Sequence, residues 1–299
     1  MTTLEDFLRP TQKQLFWRLC KRFKGKTLVS KGNFILVRGI APIMLVAHLD
    51  TVHEQPVRQI CAASGGNILS SPQGIGGDDR AGVFALIKVQ ELSAIKPWLL
   101  FCCDEEVGGI GADSFCFALE QGSLPAELYD LKCIVEIDRR GSDDAVFYDC
   151  YNPNFEEYIT SKGFKTAFGS FSDISVIAPA LGVAAVNLSA GYYNAHRLNE
   201  YINRAELERT IYRVVAIVAD STQPDFPKYP YETITCEELW AEDKDSDVPA
   251  DLPEEFHEIY DELRYIYTAE ELEEIRAHYG NRILWQLYHE EFGYPYFDR

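Results

Sequence analysis

The chain has 299 residues, 47 of them acidic and 28 basic, for a net charge of −19. That surplus argues against nucleic acid and anionic membrane surfaces as partners, because both are polyanions. Hydrophobic residues at 46% and aromatics at 13% supply a core and exclude wholesale disorder, and no run reaches the roughly 18 apolar residues of a membrane span. The opening Met1-Thr-Thr-Leu-Glu-Asp6 lacks the basic-then-apolar layout of a signal peptide, so the expected compartment is the cytoplasm. The eight cysteines include no Cys-x-x-Cys pair and read as core thiols rather than zinc ligands or disulfides.

In chain order, a helix is expected over 4–23, then strands over 34–38 and 43–47. The second strand delivers His48 and, two residues on, Asp50. On extended backbone these face the same side, so Asp50 can orient His48 as a metal ligand, or the pair is simply a hydrogen-bonded histidine at a strand end. Next, Gly74-Ile-Gly-Gly-Asp78-Asp79-Arg80-Ala-Gly82 opens a helix over 79–92. Its spacing fits neither the dinucleotide nor the phosphate-loop pattern, and adjacent aspartates repel an anion. They suit a cation, or one of them caps the helix.

A strand over 98–102 runs into Asp104-Glu105-Glu106. Neighbouring residues point in different directions, so one glutamate can serve a metal and the other a substrate or water; a solvated acidic turn is the alternative. After a helix over 111–121, a strand over 132–137 ends in Glu136-Ile-Asp138-Arg139-Arg140, again apolar and then acidic. A strand over 145–148, helices over 153–161 and 173–181 and a strand over 183–187 lead to Tyr192, Tyr193 and His196. A helix over 204–219 carries an apolar stripe through Leu207, Ile211 and Val214. The alternation spells an α/β fold. Together His48, Asp78, Glu106, Asp138 and His196 give nitrogen and oxygen donors without sulfur, a mix suited to zinc, cobalt or manganese.

Residues 237–299 hold 19 acidic and 5 basic residues, so most of the negative charge lies at the end of the chain. The same stretch carries Trp240, Phe256, Tyr260, Tyr265, Trp285 and Phe292, more aromatic surface than a solvated tail needs. Helices are expected over 254–267, from the capping pair Thr268 and Glu271 to Gly280, and over 281–292. The expected division is a catalytic domain over 1–222, a proline- and acid-rich linker over 223–253, and an acidic helical extension over 254–299.

Five motifs in order, His48-Leu-Asp50-Thr-Val, Gly77-Asp78-Asp79-Arg80-Ala-Gly82, Asp104-Glu105-Glu106-Val-Gly, Glu136-Ile-Asp138 and Asn194-Ala-His196, resemble those of the co-catalytic zinc exopeptidase superfamily, which includes bacterial leucyl aminopeptidase, peptidase T and glutamate carboxypeptidase. The resemblance implies a three-layer α/β/α mixed sheet and two zinc ions, with cobalt or manganese as substitutes. It implies that His48, Asp78 and Asp138 hold one ion, and that Asp78 bridges to a second held by Glu106 and His196. Asp50 would then orient His48, Glu105 would act as general base, and the Asp78–Asp79 peptide bond would be cis.

Many relatives carry an inserted lid or dimerisation domain. Here only 30 residues separate His48 from Asp78 and 58 separate Asp138 from His196, too few for a further domain beside the expected elements. The body therefore resembles the lidless aminopeptidase type, acting on a peptide. A carboxypeptidase, or a deacylase taking an N-acyl amino acid, is the alternative if Arg139, Arg140 or Arg197 holds a substrate carboxylate. A binding protein on an inactive peptidase fold is a third reading. Tyr192 or Tyr193 can offer a phenol to an oxyanion or belong to the core. The C-terminal helices are expected to pack beside the site, to make an oligomer contact, or to stabilise the chain at a distance.

Overall fold

Apolar runs without polar alternation form strands buried on both faces. In the computed structural model, which describes residues 3–30, 32–169, 171–233, 249, 251–253, 256–264 and 266–292, β2 (Phe34–Val37), β3 (Ile43–His48), β6 (Trp98–Cys102) and β10 (Ala185–Ser189) are buried at every residue. With β1 (Thr27–Ser30), β7 (Cys133–Arg139), β8 (Asp144–Val146) and β9 (Lys165–Thr166) they make an eight-stranded mixed sheet in the order β1-β2-β6-β3-β7-β10-β8-β9. The four central strands β6, β3, β7 and β10 are parallel, and β2 and β8 run against them. After β3 the chain passes first to β6 on one side and then to β7 on the other. The carboxyl end of β3 is thus a switch point, where open α/β sheets leave a crevice.

Alternate residues feed two cores. Leu45, Ala47, Phe101 and Val135 pack against α2 (Gln12–Arg22), α3 (Gly77–Leu92) and α7 (Arg204–Ser221) through Leu15, Leu86 and Val214. Met44, Val46, Leu100 and Ile134 meet α4 (Ile110–Glu120) and α6 (Ile174–Leu181) through Phe115 and Ile177. This is the three-layer α/β/α arrangement expected. A second, four-stranded sheet orders β11 (Tyr192–Tyr193), β12 (Tyr201–Asn203), β5 (Ile68–Ser70) and β4 (Cys61–Ala63).

Three local expectations change. The helix over 4–23 is two, α1 (Glu5–Leu8) and α2: Pro10 lacks the N–H that would continue the ladder, and Thr11 turns extended and caps α2 in a box with Gln14. The strand over 145–148 stops at Val146, with Tyr148 at φ +52°. β7 continues through Asp138 to Arg139, so that aspartate lies within the strand rather than after it.

The chain divides into two compact units, Met1–Thr233 and Ile234–Arg299. In the second, helices α8 (His257–Leu263), α9 (Ala269–Tyr279) and α10 (Arg282–Phe292) surround a core that includes Leu252, Phe256, Tyr260, Leu263, Leu272 and Leu284. Thr268 and Glu271 form the expected capping box. Most of the segment 223–253 beyond Thr233, with Trp240 in it, and Tyr265 lie outside the described residues. No described helix is long and apolar enough to cross a membrane.

Candidate metal centre and active site

Register brings the expected residues to one edge. β3 and β6 pair so that His48 stands opposite Cys102, and β3 and β7 pair Val46 with Glu136, so Asp138 arrives level with His48 two residues on. Asp78 enters at the start of α3, after which comes the cis Asp78–Asp79 bond, and His196 comes from the loop between β11 and β12.

Asp78 faces both histidines. Its Oδ1 lies 3.1 Å from His48 Nε2 and its Oδ2 lies 3.2 Å from His196 Nε2. Asp138 Oδ1 completes the first side at 3.4 Å from His48 Nε2, and Glu106 Oε2 completes the second at 3.1 Å from His196 Nε2. In each group, His48 with Asp78 and Asp138, and Asp78 with Glu106 and His196, the donor atoms lie within 4.8 Å of one another. His48, Glu105 and Glu106 form a third such group.

Asp50 sits behind this cluster. Its Oδ1 is 3.2 Å from His48 Nδ1, and its two oxygens accept the backbone N–H groups of Glu105 (3.1 Å) and Glu106 (3.0 Å). One carboxylate thereby fixes both the imidazole and the loop carrying the two glutamates. Asp104, at φ +58°, turns the other way and exchanges two hydrogen bonds with the Gln12 side chain, at 2.7 and 3.1 Å. Glu105 Oε2 stands 3.9 Å from His48 Nε2, close to the cluster but outside its shorter contacts.

The electrostatics show too much negative charge for this volume. Burial lifts Glu105 to about 7, with Asp138, Glu106 and Asp78 adding to the effect against the nearby His48. Burial and Asp78 raise Asp138 to about 7 as well. Burial opposes a charge on His48, yet Asp138, Asp50 and Asp78 hold its pKa well above the ordinary value. Hydrogen bonds to Asp78 and Glu106 carry His196 up to about 10. The other carboxylate oxygen of Glu106, Oε1, is buried with no hydrogen-bond partner. Nitrogen and oxygen donors without sulfur, an acid surplus and an orphaned carboxylate oxygen fit divalent cations of the zinc, cobalt or manganese kind.

Several supporting residues lie outside the five motifs. Asn187 accepts the Asp138 N–H at 2.8 Å through Oδ1 and donates to Tyr148 Oη at 3.0 Å. Ser172 donates to the buried Glu136 and lies 3.4 Å from Asp138 Oδ2. An amide inside an apolar strand run, and a glutamate two residues before Asp138 on the same strand face, are the signals that point to them. Neither tyrosine hydroxyl is free: Tyr192 donates to the Asp138 carbonyl at 2.8 Å, and Tyr193 donates to Glu206 at 2.6 Å. Arg139 Nε lies 3.7 Å from Asp144, while Arg140 and Arg197 are exposed.

No family model and no curated protein matches the sequence. Solved structures do match the fold. A tripeptidase from Staphylococcus aureus superposes with a TM-score of 0.57 at 15% identity, over 73% of this chain and 96% of that one. An aminopeptidase from the archaeon Desulfurococcus kamchatkensis gives 0.55 at 15% identity, over 72% and 93%. Aminopeptidase PepT from Bacillus cereus gives 0.54 at 14%, over 74% and 97%. This chain shares the fold of these peptidases.

Proposed function

We propose that the chain is a metal-dependent exopeptidase, an aminopeptidase, that hydrolyses peptide bonds with two zinc ions, or cobalt or manganese in their place. The observation that carries this reading is the division of Asp78 between two donor groups, Oδ1 with His48 and Asp138 and Oδ2 with His196 and Glu106. The peptidase names of the matching folds support it.

His48, Asp78 and Asp138 would hold one ion, and Asp78, Glu106 and His196 the other. Such a pair supplies activation of a water molecule and polarisation of the scissile carbonyl. Glu105 accepts the proton from the attacking water and returns it to the leaving amine. That shuttle needs a carboxylate beside the donor groups but outside their shortest contacts, and Glu105 Oε2, 3.9 Å from His48 Nε2, is so placed. Asp50 holds the His48 ring and, through the Glu105 and Glu106 N–H groups, keeps base and ligand in register.

An aminopeptidase rather than a carboxypeptidase or deacylase is favoured by the short intervals, since the stretch from His48 to Asp78 holds only β4, β5 and one helical turn between them. On this reading residues 1–222 are the catalytic domain, 223–253 a linker and 254–299 a helical extension. The test is digestion of defined peptides by chelator-stripped protein before and after zinc addition. Zinc-dependent shortening from the amino end supports the proposal; shortening from the carboxyl end replaces it with a carboxypeptidase, and no cleavage with two ions bound overturns the enzyme.

A further inference from the structure

One buried carboxylate at this edge has no place in the reaction above. Glu200 is fully buried, and its oxygens accept the backbone N–H groups of Gly76 (Oε2, 2.9 Å) and Asp78 (Oε1, 3.0 Å). His53 Nε2 lies 3.0 Å from the same Oε2. Carboxylates that accept several N–H groups make the stronger class of hydrogen bond and fix the direction of what they hold. Here the held atom is the amide nitrogen of the aspartate that faces both histidines.

The surroundings are shaped around this contact. A Cβ at Gly77 would lie 2.7 Å from the Tyr192 Cβ and 3.1 Å from Glu200 Oε1, and a Cβ at Gly74 would fall 2.2 Å from the His53 ring. Glycines at 74 and 77 are therefore required for the loop to close over His53 and Glu200. The segment from His196 to Glu200 then makes two contacts with the same aspartate: His196 meets the Asp78 side chain, and Glu200, four residues on, holds the Asp78 backbone.

Resting on the metal-centre reading above, we propose that Glu200, oriented by His53, is a positioning residue that sets the Asp78 carboxylate relative to His196. It would thereby govern binding of the ion on the His196 side more than of its neighbour. The asymmetry follows from the other ligands. His48 and Asp138 are carried by strands in register, whereas His196 sits at φ +63° in a loop with a half-exposed side chain. Without Glu200 the first pair keeps its own support, while the His196 side loses the only described side-chain anchor of the Asp78 N–H.

The experiment titrates zinc into chelator-stripped wild type, Glu200→Gln, Glu200→Ala and His53→Gln, with bound zinc per chain and thermal unfolding measured on each. Loss of a supporting hydrogen bond at a metal ligand weakens affinity by about 10- to 100-fold. The expected result is a loss of that size for one of two ions in Glu200→Ala, with the other changed by less than about threefold. Glu200→Gln, which keeps one acceptor oxygen, should fall between alanine and wild type, and His53→Gln should shift the same ion in the same direction. Equal weakening of both ions, or unchanged binding of both, overturns the inference. If Glu200→Ala does not fold, His53→Gln and Glu200→Gln decide by the same two criteria. Wild type that takes up no zinc overturns the metal-centre reading itself, a result distinct from wild type taking two ions and the variants matching it.

Discussion

Residues 237–299 hold 19 of the 47 acidic residues, and among the described ones Asp251 and Glu273, their own side chains largely in solvent, meet the buried Arg276. Glu271 caps α9 on Thr268, and Glu273 pairs with Arg276. At the edge of the large sheet fewer acids are packed where water hardly reaches. The side chains of Asp78, Glu105, Glu106 and Asp138 are only 9–14% exposed, and Asp79 and Glu136 are fully buried. The same residue types therefore stand in solvent at Asp251 and Glu271 and make an unbalanced charge at the sheet edge. Removing ions from water costs several kcal/mol each unless a partner of opposite sign is close, so the second arrangement calls for a cation and the first does not.

That contrast is sharpened most by Glu105→Gln. The substitution removes the proton carrier but none of the proposed ligands, so turnover should fall by about 100-fold or more while zinc content stays at the wild-type level. A metal-loaded Glu105→Gln that keeps wild-type turnover would reassign the base. Loss of zinc together with turnover would instead make Glu105 a ligand, as its grouping with His48 and Glu106 permits.

Metal removal tests the charge imbalance directly. Zinc at 100 times its dissociation constant should stabilise the folded chain by about 2.7 kcal/mol for each ion held, read from denaturant unfolding with and without chelator. The pH dependence should then separate the two forms. In the stripped protein Glu105 and Asp138, both near 7, keep protons that the unfolded chain has already released, so stability falls as pH rises from about 5 through 7. His196, raised to about 10, acts with the same sign: its contribution is complete below the ordinary histidine value and is lost as pH rises through 10. Zinc requires its ligands Asp138 and His196 deprotonated, so its binding strengthens over the same window. The gap between loaded and stripped stability should widen from pH 5 to pH 8, and a constant gap would deny that these acids are held protonated when the metal is absent.

Burial of this kind also decides how much of the molecule is legible in its sequence. Strands buried on both faces leave continuous apolar runs, so β3, β6 and β7 can be read from the residues alone, and with them the polar residues at their ends. His48, Asp50, Asp78, Glu105, Glu106, Asp138 and His196 do meet at one edge, because parallel register carries strand ends to the same place. Glu200 and His53 are not legible in this way. The partners of Glu200 include backbone N–H groups of residues more than 120 positions away, which leave no side-chain pattern in the sequence. The four-stranded sheet is equally hidden, because strands of two or three residues are too short to show alternation. Gln12 is hidden for a different reason: a helix read straight through 4–23 gives its side chain no cause to reach Asp104. Gln12→Ala should leave both partners at Asp104 unmatched and destabilise the chain by about 1–2 kcal/mol, with a smaller fall in turnover than Glu105→Gln.

The mildest test comes from the solvated side of the comparison. The Thr268 hydroxyl accepts the Glu271 N–H at 3.2 Å, and Glu271 Oε2 in turn accepts the Thr268 N–H at 2.9 Å, so each satisfies a donor that the helix leaves open at its first turn. Thr268→Ala removes the first of these and should cost about 1 kcal/mol of α9 stability, visible as faster amide exchange across Ala269–Tyr279. Zinc content and its pH dependence should not move, because Glu271 at this cap is already in water and makes no demand on a cation. A Thr268→Ala protein with altered zinc affinity would show that the C-terminal acids are coupled to the metal centre, and the division between a solvated charge and a buried one would have to be redrawn.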